Sequence, residues 1–255
     1  MTFFYALMNN PLLQNALLAS ILAAFASGII GSYVVVKRIV FISGSIAHSV
    51  LGGIGFFLWL EKAQGFTWIN PLHGALLAAI LSALCISWVQ MHFKQREDAV
   101  IAALWSIGMS IGIIFISITP GSTAELSNFL FGNVLWVDTN DLWMLFALNL
   151  TICIVTYSLY NRFLLLCFDE EQALLRGINV SRLYTLLLIL IAISTVLLIQ
   201  TVGIILVIAM LTLPPTIANL FSQRLSSIML LAILFGIFFS ITGLAISYEM
   251  DWPPG

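Results

Sequence analysis

The sequence predicts an all-α, polytopic membrane bundle of about eight transmembrane helices, and three observations carry that prediction. Hydrophobic residues fill 61% of the 255 positions and charged residues only 8%, whereas soluble domains carry roughly 25% charged residues. So little polar surface cannot coat a globule in water, and a lipid solvent removes the need. The charges are also sparse enough to divide the chain into uncharged stretches, each near the ~20 residues that an apolar helix needs to cross the hydrocarbon core. Finally, lysine and arginine collect on alternate connections, the asymmetry that orients spans in a membrane.

Nothing is charged from residue 1 to 36, and Lys37 and Arg38 end that run. The following uncharged stretches are 39–60, 63–93, 99–124, 142–161, 183–223 and 225–248. Each predicts one span except 183–223, which as a helix would be about 60 Å long at ~1.5 Å per residue, twice the membrane. It divides at "QTVG", residues 200–203. The expected spans are therefore 11–36, 39–60, 71–91, 99–119, 142–160, 183–200, 203–222 and 226–248. Alternation then collects Lys37, Arg38, Lys94, Arg96, Arg162, Arg176, Arg182 and Arg224 on one face and only Lys62 on the other. That bias puts the N-terminus outside and the basic connections in the cytoplasm.

Residues 126–137, "LSNFLFGNVLWV", are apolar but too short to span, and a crossing there would invert every later connection. A re-entrant or interfacial segment is expected, tolerated at depth only where protein surrounds it. Several broad classes fall away at this stage. A net charge of −2 offers no basic face for nucleic acid. Cys85, Cys153 and Cys167 are an odd, scattered set, which makes neither a disulfide framework nor a thiolate metal site. "MTFFYALMNN" lacks the basic start and cleavage site of a signal peptide.

The longest cytoplasmic connection, residues 161–182, contains a short helix with explicit start and stop signals. Asp169 is the expected N-cap, and Glu170 and Glu171 place negative charge in the first turn. Gln172 stands where a capping box wants it, and Gly177 supplies a left-handed stop after Arg176. Asn179 or Ser181 can start the next span. Ala173, Leu174 and Leu175 give the short helix something to bury. Such a helix either lies on lipid headgroups or docks a cytoplasmic partner, and its acidic start is ill suited to an anionic leaflet.

Six segments in order now resemble the membrane subunit of an ATP-binding-cassette importer of the zinc/manganese/iron type. They are "GSYVVVKRIVFISGSIAHSVLGG" (31–53), "REDAVIAALWSIGMSIGIIFIS" (96–117), "ELSNFLFGNVLW" (125–136), "FDEEQALLRGI" (168–178), "QTVGIILVIAMLTLPPTIA" (200–218) and, in part, "DWPPG" (251–255). The resemblance implies a single transmembrane permease domain over 1–255, with a cytoplasmic coupling segment at 163–182, in the bacterial cytoplasmic membrane. It implies a second permease copy, identical or closely related, and an extracytoplasmic metal-binding protein. It also implies cytoplasmic ATP-binding subunits that use ATP and magnesium, since this chain has no "GxxxxGK[ST]" phosphate loop and is expected to be no enzyme itself. The coupling residues would be Asp169, Glu170, Glu171, Ala173, Leu174 and Gly177. Two departures stand out. Many members carry an aspartate four residues before the histidine of the second span, where this chain has Gly44 before His48. "MDWPPG" resembles the lead-in to a ninth span, which would be missing here.

His48 is the histidine well inside a span, and an ionisable group there is a functional hypothesis by default. Carboxylate plus imidazole would suit the transit of a divalent ion, but Ser43, Gly44 and Ser45 offer no carboxylate. The competing role is a neutral imidazole hydrogen-bonded to a carbonyl or hydroxyl on a neighbouring helix, which Gly44, Ser45, Gly52 and Gly55 would let approach. Asn128, Asn133 and Gln200 are further pathway candidates or interhelical hydrogen-bonders, and Pro214 and Pro215, pathway or gate candidates too, are expected to kink or break the seventh span. A self-contained secondary transporter or channel would usually show carboxylates within spans, and an intramembrane enzyme a motif such as "HExxH". Neither occurs in this sequence.

Overall fold

Asparagine followed by proline opens two of the spans, and both pairs work as helix starts. Asn10 Oδ1 accepts the Leu12 N–H at 3.0 Å, and Asn70 Oδ1 accepts the Leu72 N–H at 2.9 Å. The following Pro11 and Pro71 need no donor at the first helical position. In the computed structural model the described residues are 3–66, 68, 70–93, 97–120, 129, 132, 134–250 and 252. Among them the regular structure is helical: α1 (Phe3–Asn9), α2 (Pro11–Val36), α3 (Val40–Lys62), α4 (Pro71–His92), α5 (Glu97–Ile118), a 3-10 turn (Val134–Trp136), α6 (Thr139–Phe168), α7 (Glu170–Leu175), α8 (Val180–Val202), α9 (Ile204–Phe221) and α10 (Leu225–Met250). Eight of these are long and apolar enough to cross a membrane, in the expected order.

Three expectations need adjustment. The fifth span does not stop near residue 160: α6 has 30 residues, about 45 Å at ~1.5 Å per residue, so its last turns outrun a hydrocarbon core of about 30 Å. The break after the sixth span falls at Gly203, whose φ of 82° no β-carbon favours. Gln200 lies in the last turn of α8 rather than at the break. The seventh span, α9, runs unbroken through Pro214 and Pro215.

The contacts divide the chain into two compact units. Unit 2 comprises residues 39–127 and 161–196, and α3 packs on both α4 and α5 within it. Small residues bring the backbones together. A Cβ built on Gly52 would stand 2.8 Å from the Gly108 carbonyl oxygen, one on Gly55 2.6 Å from that of Gly112, and one on Gly53 2.1 Å from that of Gly74. Without a hydrophobic force between helices in lipid, such close packing and interhelical hydrogen bonds hold the helices together. Ser45 Oγ donates to the Ile101 carbonyl at 2.8 Å, Ser82 Oγ to Ser49 Oγ at 2.8 Å, and Ser87 and Thr185 share a hydroxyl bond of 2.6 Å.

Unit 1 comprises residues 1–38, 128–160 and 197–255, with α2 packed on α9 and α10. Gly28 meets Ile233 of α10, and Gly31 meets Leu211 and Pro215 of α9. Asn149 of α6 ties to α2 through its Nδ2, which donates to the Leu22 carbonyl at 3.0 Å. The short α1 closes on the end of α10: the Phe3 N–H donates to Glu249 Oε1 at 2.9 Å, and the Phe3 and Tyr248 rings lie 5.9 Å apart.

Candidate functional site

The short helix after α6 is built as its sequence indicated. Asp169 Oδ1 accepts the Gln172 N–H at 2.8 Å. The Asp169 N–H already donates to the Leu165 carbonyl of α6 at 2.8 Å, so Gln172 serves only one half of the expected capping box. α7 thus follows α6 with a single residue between them. At its other end Gly177 takes φ 72°. The Ile178 N–H donates to the Ala173 carbonyl at 3.0 Å and the Gly177 N–H to that of Leu174 at 2.9 Å. These paired bonds past a left-handed glycine form a Schellman stop. Asn179 Oδ1 then accepts the Arg182 N–H at 3.1 Å and starts α8.

The burial of α7 differs from expectation. Of the three apolar residues expected to be covered, only Ala173 is buried; Leu174 is 61% and Leu175 88% exposed. Six residues cannot bury a full apolar face, and Ala173, placed among the docking residues by the sequence, is instead the anchor. Glu170, Glu171 and Leu174 remain on the surface. Beside them a cleft of about 520 Å³ is lined by Gln90, Met91, Glu170, Leu174, Val180, Ser181 and Tyr184, and Ser181 Oγ contacts Met91 Sδ there.

His48 sits in the first half of α3, half-buried. Its imidazole stacks on the indole of Trp105 in α5, with ring centroids 4.2 Å apart and planes 18° apart. Among the described residues its nitrogens have no hydrogen-bond partner, so the bond expected of a packing histidine is not made. The helix approach expected there is: Gly44 faces Trp105, and Ser45, Gly52 and Gly55 lie against α5. No three His, Cys, Asp or Glu side chains come together among the described residues.

The other candidates scatter. Asn128 and Asn133 lie outside the described residues, as does most of the segment 126–137. Its Gly132 is described: φ is 73°, and a Cβ there would stand 2.3 Å from the Val202 carbonyl group, against the α8–α9 break. Gln200 is exposed, and its Nε2 donates to Asp141 Oδ1 at 3.4 Å. Pro214 and Pro215 are buried in α9. Pro214 borders an apolar cavity of about 220 Å³ that also touches Met210, Gly236 and Phe239.

Comparison with known proteins decides the kinship. The family model described as the ABC 3 transport family matches residues 9–255. The chain belongs to that family. Over 245 residues it is 49% identical to a Chlamydia trachomatis protein named "Probable metal transport system membrane protein", covering 96% of this chain and 83% of that one. It is 35% identical over 255 residues to the manganese transport system membrane protein MntC of Listeria monocytogenes, covering 100% and 88%. Among solved structures it superposes on PsaBC from Streptococcus pneumoniae in complex with Fab with a TM-score of 0.86 and 28% identity, over 99% of this chain and 88% of that one.

Three residues of this ABC 3 family chain escaped the sequence reading. Trp105, against both Gly44 and His48, was not singled out. Neither was Gly31, against Leu211, nor Asn149, which reaches α2 from mid-span and whose Oδ1 has no hydrogen-bond partner. Asn149 carried a signal, a lone amide in an apolar span. The other two carried none, because their partners are remote in sequence.

Proposed function

We propose that the chain is the membrane-spanning permease of an ATP-binding-cassette importer for a divalent metal ion in the bacterial cytoplasmic membrane. Manganese is the first cargo to test, given the name of the Listeria relative; zinc and iron are the competitors. Residues 1–255 act as one permease domain beside a second copy. An extracytoplasmic protein delivers the metal, and cytoplasmic subunits bind ATP and magnesium and perform the hydrolysis. This chain supplies the path and the lever.

The observation that carries the reading is α7, a helix capped at both ends that leaves two leucines uncovered. Exposed leucines flanked by Glu170 and Glu171 suit a protein surface better than an anionic leaflet. α6 is longer than the hydrocarbon core and ends one residue before α7, so a push on α7 is passed into a membrane-spanning rod. The coupling surface is Asp169, Glu170, Glu171, Leu174 and Gly177, with Ala173 as its anchor. His48 is the ligand of the path. A lone imidazole holds a divalent ion weakly enough for it to leave, as conduction requires.

The test is ATPase activity and uptake by the reconstituted complex, with its cognate binding protein, across Mn²⁺, Zn²⁺ and Fe²⁺. One ion should stimulate hydrolysis and accumulate. Glu170→Ala and Gly177→Val should insert normally yet lose coupled uptake; normal uptake by both would remove the coupling role. His48→Ala should lower uptake, and unchanged uptake and selectivity would remove His48 from the path.

A further inference from the structure

Among the described residues the His48 ring is held in place without a hydrogen bond. Metal-ligating histidines are ordinarily oriented through the second ring nitrogen, which donates to a carboxylate, a carbonyl or water. Here the described residues offer that nitrogen no partner, and the contact that the ring does make is its stack on Trp105 at 4.2 Å. The same indole closes over Gly44, one helical turn earlier on α3: a Cβ built there would meet Trp105 Cζ3 at 3.4 Å and Cη2 at 3.9 Å. A side chain at position 44 would therefore pack directly against Trp105.

The indole is itself fixed. One turn before it, the Ile101 carbonyl accepts the Ser45 hydroxyl at 2.8 Å. Just after it, Gly108 lies so close to Ser49 that a Cβ would stand 2.5 Å from the Ser49 Cα. Between these two contacts α3 and α5 cannot slide past each other, so the indole stays beside His48.

Resting on the reading of His48 as a path ligand, we infer that Trp105 is a positioning residue of the transport path. Its ring sets the plane of the imidazole and leaves the unprotonated nitrogen for the divalent ion. It does mechanically what a hydrogen-bonded carboxylate does at other metal-binding histidines, and adds no charge that would hold the ion back.

The test is Mn²⁺ uptake over a concentration series by the complete transporter in proteoliposomes, with melting temperatures recorded for each variant. Trp105→Leu should raise KM about 10-fold or more, the usual scale for losing the group that orients a metal ligand, with little change in maximal rate. Trp105→Phe keeps a ring and should restore KM to near its original value. In a His48→Ala background Trp105→Leu should have no further effect, because the two residues act as one unit. Should Trp105→Leu fail to assemble, Trp105→Met, longer but also without a ring, is read by the same criteria. Unchanged KM in the ringless variant while His48→Ala is impaired overturns the role of Trp105 and leaves His48 standing. Additive losses in the double variant would likewise reduce Trp105 to packing. Unchanged uptake in His48→Ala would overturn the reading of His48, and the inference with it.

Discussion

Gly31 faces the carbonyl of Leu211, the acceptor that Pro215 leaves without its helical donor. A buried carbonyl in lipid must find another partner. A glycine Cα–H pressed against it is the compensation that close helix packing can supply. A Cβ at position 31 would stand 2.4 Å from that oxygen and 2.8 Å from Pro215 Cγ, so there is no room even for alanine without moving α9. Gly31→Leu should therefore destabilise the protein by about 1–3 kcal/mol, the usual cost of overpacking, seen as a lower melting temperature in detergent. An unchanged melting temperature would mean that α9 yields freely around its prolines. The prolines were plain in the sequence, but Gly31 was one glycine among many until α2 and α9 were placed side by side.

At the scale of elements, α7 is the clearest case of local instruction. Asp169 and Gly177 cap it through bonds that span only a few residues, so a stretch of eleven letters sufficed to predict it. Its exposed face was another matter, because whether Leu174 is covered depends on helices remote in the chain. Two consequences separate cap from surface. Asp169→Ala should loosen α7 by about 1 kcal/mol, raising hydrogen exchange at Gln172 and its neighbours and weakening coupling as a result. Leu174→Asp should leave both melting temperature and exchange unchanged, since the residue is exposed, and still lower uptake. A Leu174→Asp variant with full uptake would show that the partner does not touch this face.

For the whole molecule, the eight cationic residues on one set of connections against Lys62 on the other make a topological prediction. With Cys85, Cys153 and Cys167 replaced, Trp68→Cys should react with a membrane-impermeant maleimide in intact cells. Leu175→Cys should react only after permeabilisation. Both native residues are exposed, so accessibility within the protein does not confuse the reading; the reverse pattern would invert the orientation.

The sequence by itself determined the number of spans and their order, because each is a sum of hydropathy over a window and needs no knowledge of neighbours, and its charges predict their sidedness in the same way. It also determined the caps of α7, where donor and acceptor are a few residues apart. Only the tertiary structure decided that α6 outruns the hydrocarbon core, that Leu174 and Leu175 stay uncovered, and that Trp105 packs against Gly44 beside His48. Spans that are apolar on every side carry little record of which face meets which helix. That choice is made by the fit of small residues against remote backbones, and it becomes visible only when the helices are packed.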